Sequence, residues 1–227
     1  MDLSLTGIWA AMGIPARMVV ITMTVMLFWC VYVAAERIFF FLSARGQSRQ
    51  LASAIGAPLK NSDLAGAMKL VASEAYAKSY LAAILGAGLR EYSARPDKHG
   101  IAAAKRALET VSTEEGAGLR KGMNVLATTG STTPFVGLVG TIFGIINAFS
   151  KMAVAGGGDL TSISGGIAEA LVSTAVGITV AIIAIWFYNY FNAVIDEVMK
   201  DVSVASAELI DWLEKDSLRR SEVQAAK

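Results

Sequence analysis

The sequence predicts an all-α integral membrane protein with three transmembrane helices, the second and third extended into a cytoplasmic helical bundle. Three observations predict it. The 227 residues are 54% hydrophobic and 17% charged, with a mean hydropathy of +0.51, outside the range of soluble domains. Met18 to Ala35, Gly122 to Ser150 and Ala170 to Ile195 contain no Asp, Glu, Lys, Arg or His. Each of these reaches the roughly 17 to 25 residues that a helix needs to cross about 30 Å of hydrocarbon. No strand-rich segment interrupts them.

The charges set the orientation. Near the span ends, segments 36–55, 103–122 and 196–215 hold Arg37, Arg45, Arg49, Lys105, Arg106, Arg120, Lys121, Lys200 and Lys215. Segments 1–17 and 151–168 hold only Arg17 and Lys151. The positive-inside rule then divides the chain into an outside segment 1–17, which the resemblance given below makes periplasmic, a first span 18–42 and a cytoplasmic helical region 43–121. A second span 122–150, a short periplasmic loop 151–168, a third span 169–195 and a cytoplasmic helix and tail 196–227 follow. The net charge of +1 is uninformative about partners, and no nucleic-acid partner is expected.

Each element has its own reason. A cleaved signal peptide would need positive charge before its apolar core and a small-residue site after it. Here Asp2 and Arg17 precede the core and "YVAAER" follows, so the first span is expected to be retained. It ends in "ERIFFF" (36–41), a charged pair and an aromatic belt, and reads as a lipid-facing helix on which Phe28, Trp29 and Tyr32 are packing and interface residues. In 43–121, "NSDLAGAMKLVAS" and "YLAAILGAGLREY" are helix candidates and "RPDKHG" (95–100) is a break. Residues 101–126 run on without proline, as one helix continuing from cytoplasm into membrane.

On the second span, Gly130, Pro134, Gly137, Thr141, Gly144 and Ala148 recur at 4-3-4-3-4 spacing and share a face almost without bulk. Phe135, Leu138, Ile142, Ile145 and Ile146 lie opposite. Small-residue stripes let helices approach closely in lipid. Five hydroxyls crowd into 128–133, where bonding to a carbonyl one turn back is the plain explanation. Thr141, isolated near mid-span on the small face, is a candidate ion-pathway residue, with a packing threonine as its alternative.

The third span carries a second small stripe, Ala170, Thr174, Gly177, Ala181 and Ala184. Glu169, one turn in, suits either a solvated carboxylate at a helix N-terminus or a pore-mouth carboxylate. It lies five residues from Thr174, about 140° around the axis, so the two flank one wide channel or point to two neighbours. Past the span, Val198, Val202, Ala205, Leu209 and Trp212 form a narrow seam, destined for another helix or for the 43–121 region.

Enzymatic signatures are missing. There is no Walker sequence, HExxH or GxSxG, and "GAGLR" at 116 places Lys121 where a dinucleotide fingerprint needs glycine. Cys30 and His99 are the only residues of their types, so no metal cluster, cofactor or catalytic base is expected.

"TTPFVGLVGTIFGIINAF" (132–149) and "GGIAEALVSTAVGITVAIIAI" (165–185) resemble the ExbB/TolQ/MotA family of ion-driven motor subunits, nearest the ExbB/TolQ branch. Gly165 stands where members often carry proline, which bears on the loop geometry. The resemblance implies a homopentamer in the bacterial inner membrane, whose second and third helices form a pore around a dimer of a single-span ExbD/TolR-like partner. That partner brings a membrane aspartate, and a TonB- or TolA-like effector lies beyond it. By similarity, Thr141 and Thr174 match the pore threonines and Glu169 the pore-mouth carboxylate. Gly130, Pro134, Gly137, Gly144, Ala148, Ala170, Gly177 and Ala181 are then the pore-lining small face. Two alternatives stand beside this one. One is a static scaffold packed through its small stripes; the other is a substrate transporter, for which three spans without an internal repeat give no alternating-access framework.

Overall fold

The computed structural model describes residues 9, 12–154 and 160–225, and the rest of the N-terminal segment and positions 155–159 of the short loop lie outside them. Among the described residues, six helices with defined bounds follow in order: α1 (Ile14–Lys60), α2 (Leu64–Val71), α3 (Tyr80–Ala94), α4 (Lys98–Leu119), α5 (Met123–Val154) and α6 (Leu160–Ala225), with a 3-10 turn at Glu74–Tyr76. No strand occurs among the described residues. Helices α1 and α5 and the Ser164–Glu222 part of α6 are long and apolar enough to cross a membrane.

Side-chain caps set the boundaries. Asp63, Ser79 and Asp97 each accept hydrogen bonds from backbone N–H groups of the helix that follows, so the first turns of α2, α3 and α4 do not keep all their donors unpaired. The "RPDKHG" break falls where expected, with α4 starting at Lys98. The uninterrupted run over 101–126 does not hold. Arg120 caps α4, and Gly122 sits at φ 83° before α5 begins at Met123. Glycine adopts that left-handed backbone without the Cβ penalty. The first and third spans therefore continue as one helix well beyond their apolar stretches, at Ile14–Lys60 and Leu160–Ala225, whereas the second begins at Met123. Helix also covers part of the range read as loop, since α5 runs to Val154 and α6 starts at Leu160.

The chain divides into two compact units, one of residues up to Ala35 with Gly122–Phe191, the other of Glu36–Lys121 with Asn192–Lys227. In the first, α1 buries Ala16, Met23 and Cys30 at seven-residue steps, joined by Val33 and Ala34. Its Phe28, Trp29 and Tyr32 are exposed, so α1 has a lipid-compatible side and a packed seam rather than lipid on all sides.

In the second unit α3 is the central helix, with Tyr80, Leu81, Ile84, Leu85, Leu89 and Tyr92 all buried. Gly88 lets α4 close on it, for a Cβ there would meet Leu108 Cγ at 2.9 Å. The α1 residues of this unit bury Phe41, Ala44, Ser48, Leu51 and Ile55, a heptad seam. Val198, Val202 and Leu209 of the tail are buried as expected, while Ala205 and Trp212 are half-buried beside them and Leu213 completes the seam.

That tail lies against the 43–121 helices. Trp212 Nε1 donates to the Leu59 carbonyl, Arg45 pairs with Glu197, and Arg120 donates to Asn192 Oδ1 at 3.0 Å. Deeper in, Tyr92 donates its hydroxyl to Asp216 Oδ2 at 2.9 Å, and Arg220 Nε holds the same carboxylate oxygen at 2.6 Å. Burial, reinforced by the carboxylate beside it, pushes the Tyr92 phenol well above its ordinary range and keeps it a neutral donor.

Candidate ion pathway

The contact between α5 and α6 in the first unit is built from missing side chains. A Cβ on Gly177 would lie 2.7 Å from the Thr133 carbonyl oxygen and 3.1 Å from Gly137 Cα. A Cβ on Gly137 would lie 3.0 Å from the Ser173 carbonyl oxygen, and one on Gly144 would lie 3.0 Å from Ala170 Cβ. Backbones this close gain dispersion contacts that larger side chains would prevent, which is the basis of helix association in lipid. Met23 of α1 closes the site, with its sulfur 3.2 Å from the Gly177 Cβ position and no exposed surface.

The small face thus meets its counterpart inside a single chain. Gly130, Gly137, Gly144, Ala148, Ala170, Gly177 and Ala181 are buried, as is Ala184, and do not form an open wall of this chain. Within the single chain they pack α5 against α6, because the neighbouring helix with the complementary bare face is the chain's own. Pro134, Thr141 and Thr174 differ from them in remaining half-exposed. Phe135, Leu138, Ile142, Ile145 and Ile146 are exposed on the opposite side, as the spacing predicts.

The hydroxyls separate into two groups. Thr132 and Thr133 each donate to the carbonyl four residues back at 2.7 Å, and Ser131 donates to Thr128 at 3.1 Å. These satisfy backbone and explain most of the polarity near 128–133. Thr141 Oγ1 also turns back, to the Leu138 carbonyl at 2.5 Å, but its exposed flank leaves the oxygen's lone pairs available. Thr174 Oγ1 instead reaches across to α5 and donates to the Gly137 carbonyl at 3.4 Å. That carbonyl lies one helical turn before Thr141, whose own hydroxyl bonds the next carbonyl along, that of Leu138.

Glu169 is not with them. It is 4% exposed, and its Oε1 accepts the Gly13 backbone N–H at 2.8 Å, just ahead of α1. Of the two arrangements open from spacing, the structure has Glu169 and Thr174 addressing different neighbours. It is therefore neither solvated nor facing open space in the single chain. Asn147 joins it, its side-chain nitrogen 2.9 Å from the Gly13 Cβ position.

Residue-by-residue reading missed Ser173, Gly140 and Gly166. Ser173 is fully buried and donates to the Glu169 carbonyl at 3.4 Å, and a Cβ on Gly140 would meet Ser173 Cβ at 2.7 Å. A Cβ on Gly166 would meet Ala148 Cβ at 2.5 Å. The signal was present in Gly140-x-x-x-Gly144 and in the small residues 166, 170, 173 and 177, whose seam lies one residue around from the stripe through Thr174. Among the described residues no group of three His, Cys, Asp or Glu side chains is placed to hold a metal ion.

Known proteins resemble this arrangement in sequence. A family model described as the MotA/TolQ/ExbB proton channel family matches residues 76–203. A biopolymer transport protein ExbB of Xanthomonas campestris pv. campestris is 39% identical over 107 residues, 47% of this chain and 42% of that protein. The Tol-Pal system protein TolQ of Pseudomonas aeruginosa is 38% identical over 116 residues, 48% of this chain and 50% of the relative. In both cases the matched part spans half or less of the relative. A biopolymer transport protein ExbB of Salmonella typhimurium is 32% identical over 197 residues, 84% of this chain and 78% of that protein.

Proposed function

We propose that this chain, which belongs to the MotA/TolQ/ExbB proton channel family, is the pore-forming subunit of a motor driven by the proton motive force in a bacterial inner membrane. It is a multi-pass membrane protein, and its role here is ion transport rather than catalysis of a covalent step. The N-terminus lies in the periplasm and the 43–121 region and tail in the cytoplasm, a placement supported by the lysine and arginine asymmetry. Copies assemble as a homopentamer around an ExbD/TolR-like dimer, whose movement energises TonB-type uptake, Tol-type envelope maintenance or gliding through a TonB- or TolA-like effector.

One observation carries the proposal. Thr174 reaches the Gly137 carbonyl at 3.4 Å and Thr141 lies one turn on from Gly137, so two half-exposed threonines flank a glycine-tight seam. A hydroxyl can both donate and accept, so it serves a carboxylate, a carboxylic acid or a water at one position. The partner's membrane carboxyl would find such groups at the flank, outside the closed seam. Each proton crossing 100 mV releases roughly 2.3 kcal/mol, comparable with remaking one or two hydrogen bonds per step.

The test is proton flux into vesicles containing the chain and its partner. Thr141→Val and Thr174→Val preserve shape and remove the hydroxyl, and each is expected to bring flux down toward that of empty vesicles while assembly persists. Wild-type flux in both variants would overturn the threonine roles. A static scaffold is the second reading, supported by the closure of the small faces within one chain. It predicts no flux even with the partner present.

A further inference from the structure

In the second unit, a recess of about 530 Å³ lies between the start of α4 and the last turns of α6. Lys98, Arg219 and Arg220 line it, with Asp97 and Asp216 as the lining carboxylates. Both carboxylates are already engaged. Asp97 accepts the His99 and Gly100 N–H groups at 2.9 Å and pairs with Arg95, which together hold its carboxyl below the ordinary range, the Gly100 bond foremost. Asp216 is 4% exposed and is committed to Tyr92 and Arg220. Lys98 and Arg219 have no ion-pair partner among the described residues.

A local backbone feature orders one of these cations. Ser62 lines the recess too and is the non-glycine residue with positive φ, 56°, among those described. Such a conformation costs roughly 1–2 kcal/mol and persists where surrounding structure enforces it. The Ser62 hydroxyl accepts from an Arg219 guanidinium nitrogen, which steers that long side chain. Ser217 and Ser221 turn their hydroxyls back to the Glu214 and Leu218 carbonyls, so the free donors here are nitrogens. A guanidinium fork and an ammonium beside saturated carboxylates match the oxygens of a phosphate group. The volume falls within the usual range of ligand pockets, roughly 300–1,000 Å³, and exceeds that of one phosphate.

We propose that this recess binds a phosphate-bearing anion through Lys98, Arg219 and Arg220. The anion is either a free phosphate compound or an anionic phospholipid headgroup, and two probes separate these sources. The full chain is purified in a detergent with a neutral headgroup and titrated calorimetrically with inorganic pyrophosphate and, separately, with short-chain phosphatidylglycerol. Binding of pyrophosphate identifies a soluble phosphate ligand, and binding of the lipid alone identifies a headgroup site.

In either case the Lys98→Gln/Arg219→Gln double variant is expected to weaken binding about tenfold or more, and Lys69→Gln, outside the recess, to leave it unchanged. The replaced side chains are exposed, so melting of the variant is expected to match wild type. Rising salt is also expected to weaken binding to the unmodified chain, which tests the charge without a mutation. Failure of both probes to bind, equal weakening in Lys69→Gln, or binding insensitive to salt would overturn the proposal.

Discussion

The two units solve helix packing in opposite ways. Where α5 meets α6 in the first, the contact is glycine on backbone, with Gly137 and Gly177 at its centre and large aliphatic side chains turned outward. In the second, Tyr92, Leu51, Ile84, Leu89, Leu209 and Leu213 are fully buried, and Gly88 on the central helix meets a side chain, Leu108, rather than backbone. The surrounding medium accounts for the contrast. Beside water, burying a large apolar side chain contributes roughly 1.5–3 kcal/mol. In lipid that gain disappears, and close backbone approach with local hydrogen bonds takes its place.

Polar groups follow the same division. First-unit hydroxyls mostly satisfy their own helix, as Thr132 and Thr133 do. The second unit links distant helices through Tyr92, Asp216 and Arg220.

The largest test of this contrast is Gly177→Val. Its Cβ would fall 2.7 Å from a backbone oxygen, which has no rotamer with which to move away. The expected loss is about 3 kcal/mol or more, seen as earlier unfolding of the full chain on titrating denaturing detergent into mild micelles. Wild-type resistance would mean that the seam is not the tight contact described.

Next comes Tyr92→Phe, which deprives the buried Asp216 of a donor, for an expected cost of about 1–3 kcal/mol in the same assay. The pH dependence carries a definite sign. The folded-state Tyr92 pKa is raised, so its contribution is fully present below the unfolded value near 10 and is lost as pH rises beyond it. Wild type is expected to lose stability above about pH 10 more steeply than Tyr92→Phe. Equal slopes would show that the phenol ionises as it does in water.

The smallest effect is expected from Lys215→Ala. Its pairing with Asp211 is exposed on both sides, and exposed pairs one turn apart contribute about 0.3–0.5 kcal/mol. A larger loss would show that the tail relies on surface charge more than its buried seam implies.

Much of this was legible in the sequence because it is periodic. Uncharged runs gave the spans, and 4-3 spacing separated Gly137 and Gly144 from Phe135 and Ile142 correctly. Periodicity says which residues share a face, not what that face meets. The small stripes therefore predicted a bare surface but not that each would cover the other, and a one-residue rotation concealed Ser173 behind Thr174. Gly13 and Glu169 are 156 positions apart, and Tyr92 and Asp216 are 124 apart, so neither pair leaves a local trace. The break at Arg120–Gly122 was hidden for another reason: glycine within an alanine-rich run is compatible with helix, and only its φ of 83° reveals the turn.

The heptad seam of α1 in the second unit, Phe41, Ala44, Ser48, Leu51 and Ile55, restricts how this stretch can change length over time. Gaining or losing a single codon between Ala44 and Leu51 would turn all later positions by about 100°, presenting Gln50 or Ala52 where Leu51 now sits. Seven-codon steps preserve the phase, so length variants that survive here are expected in sevens, whereas the turn at Asn61–Ser62 is free of that arithmetic.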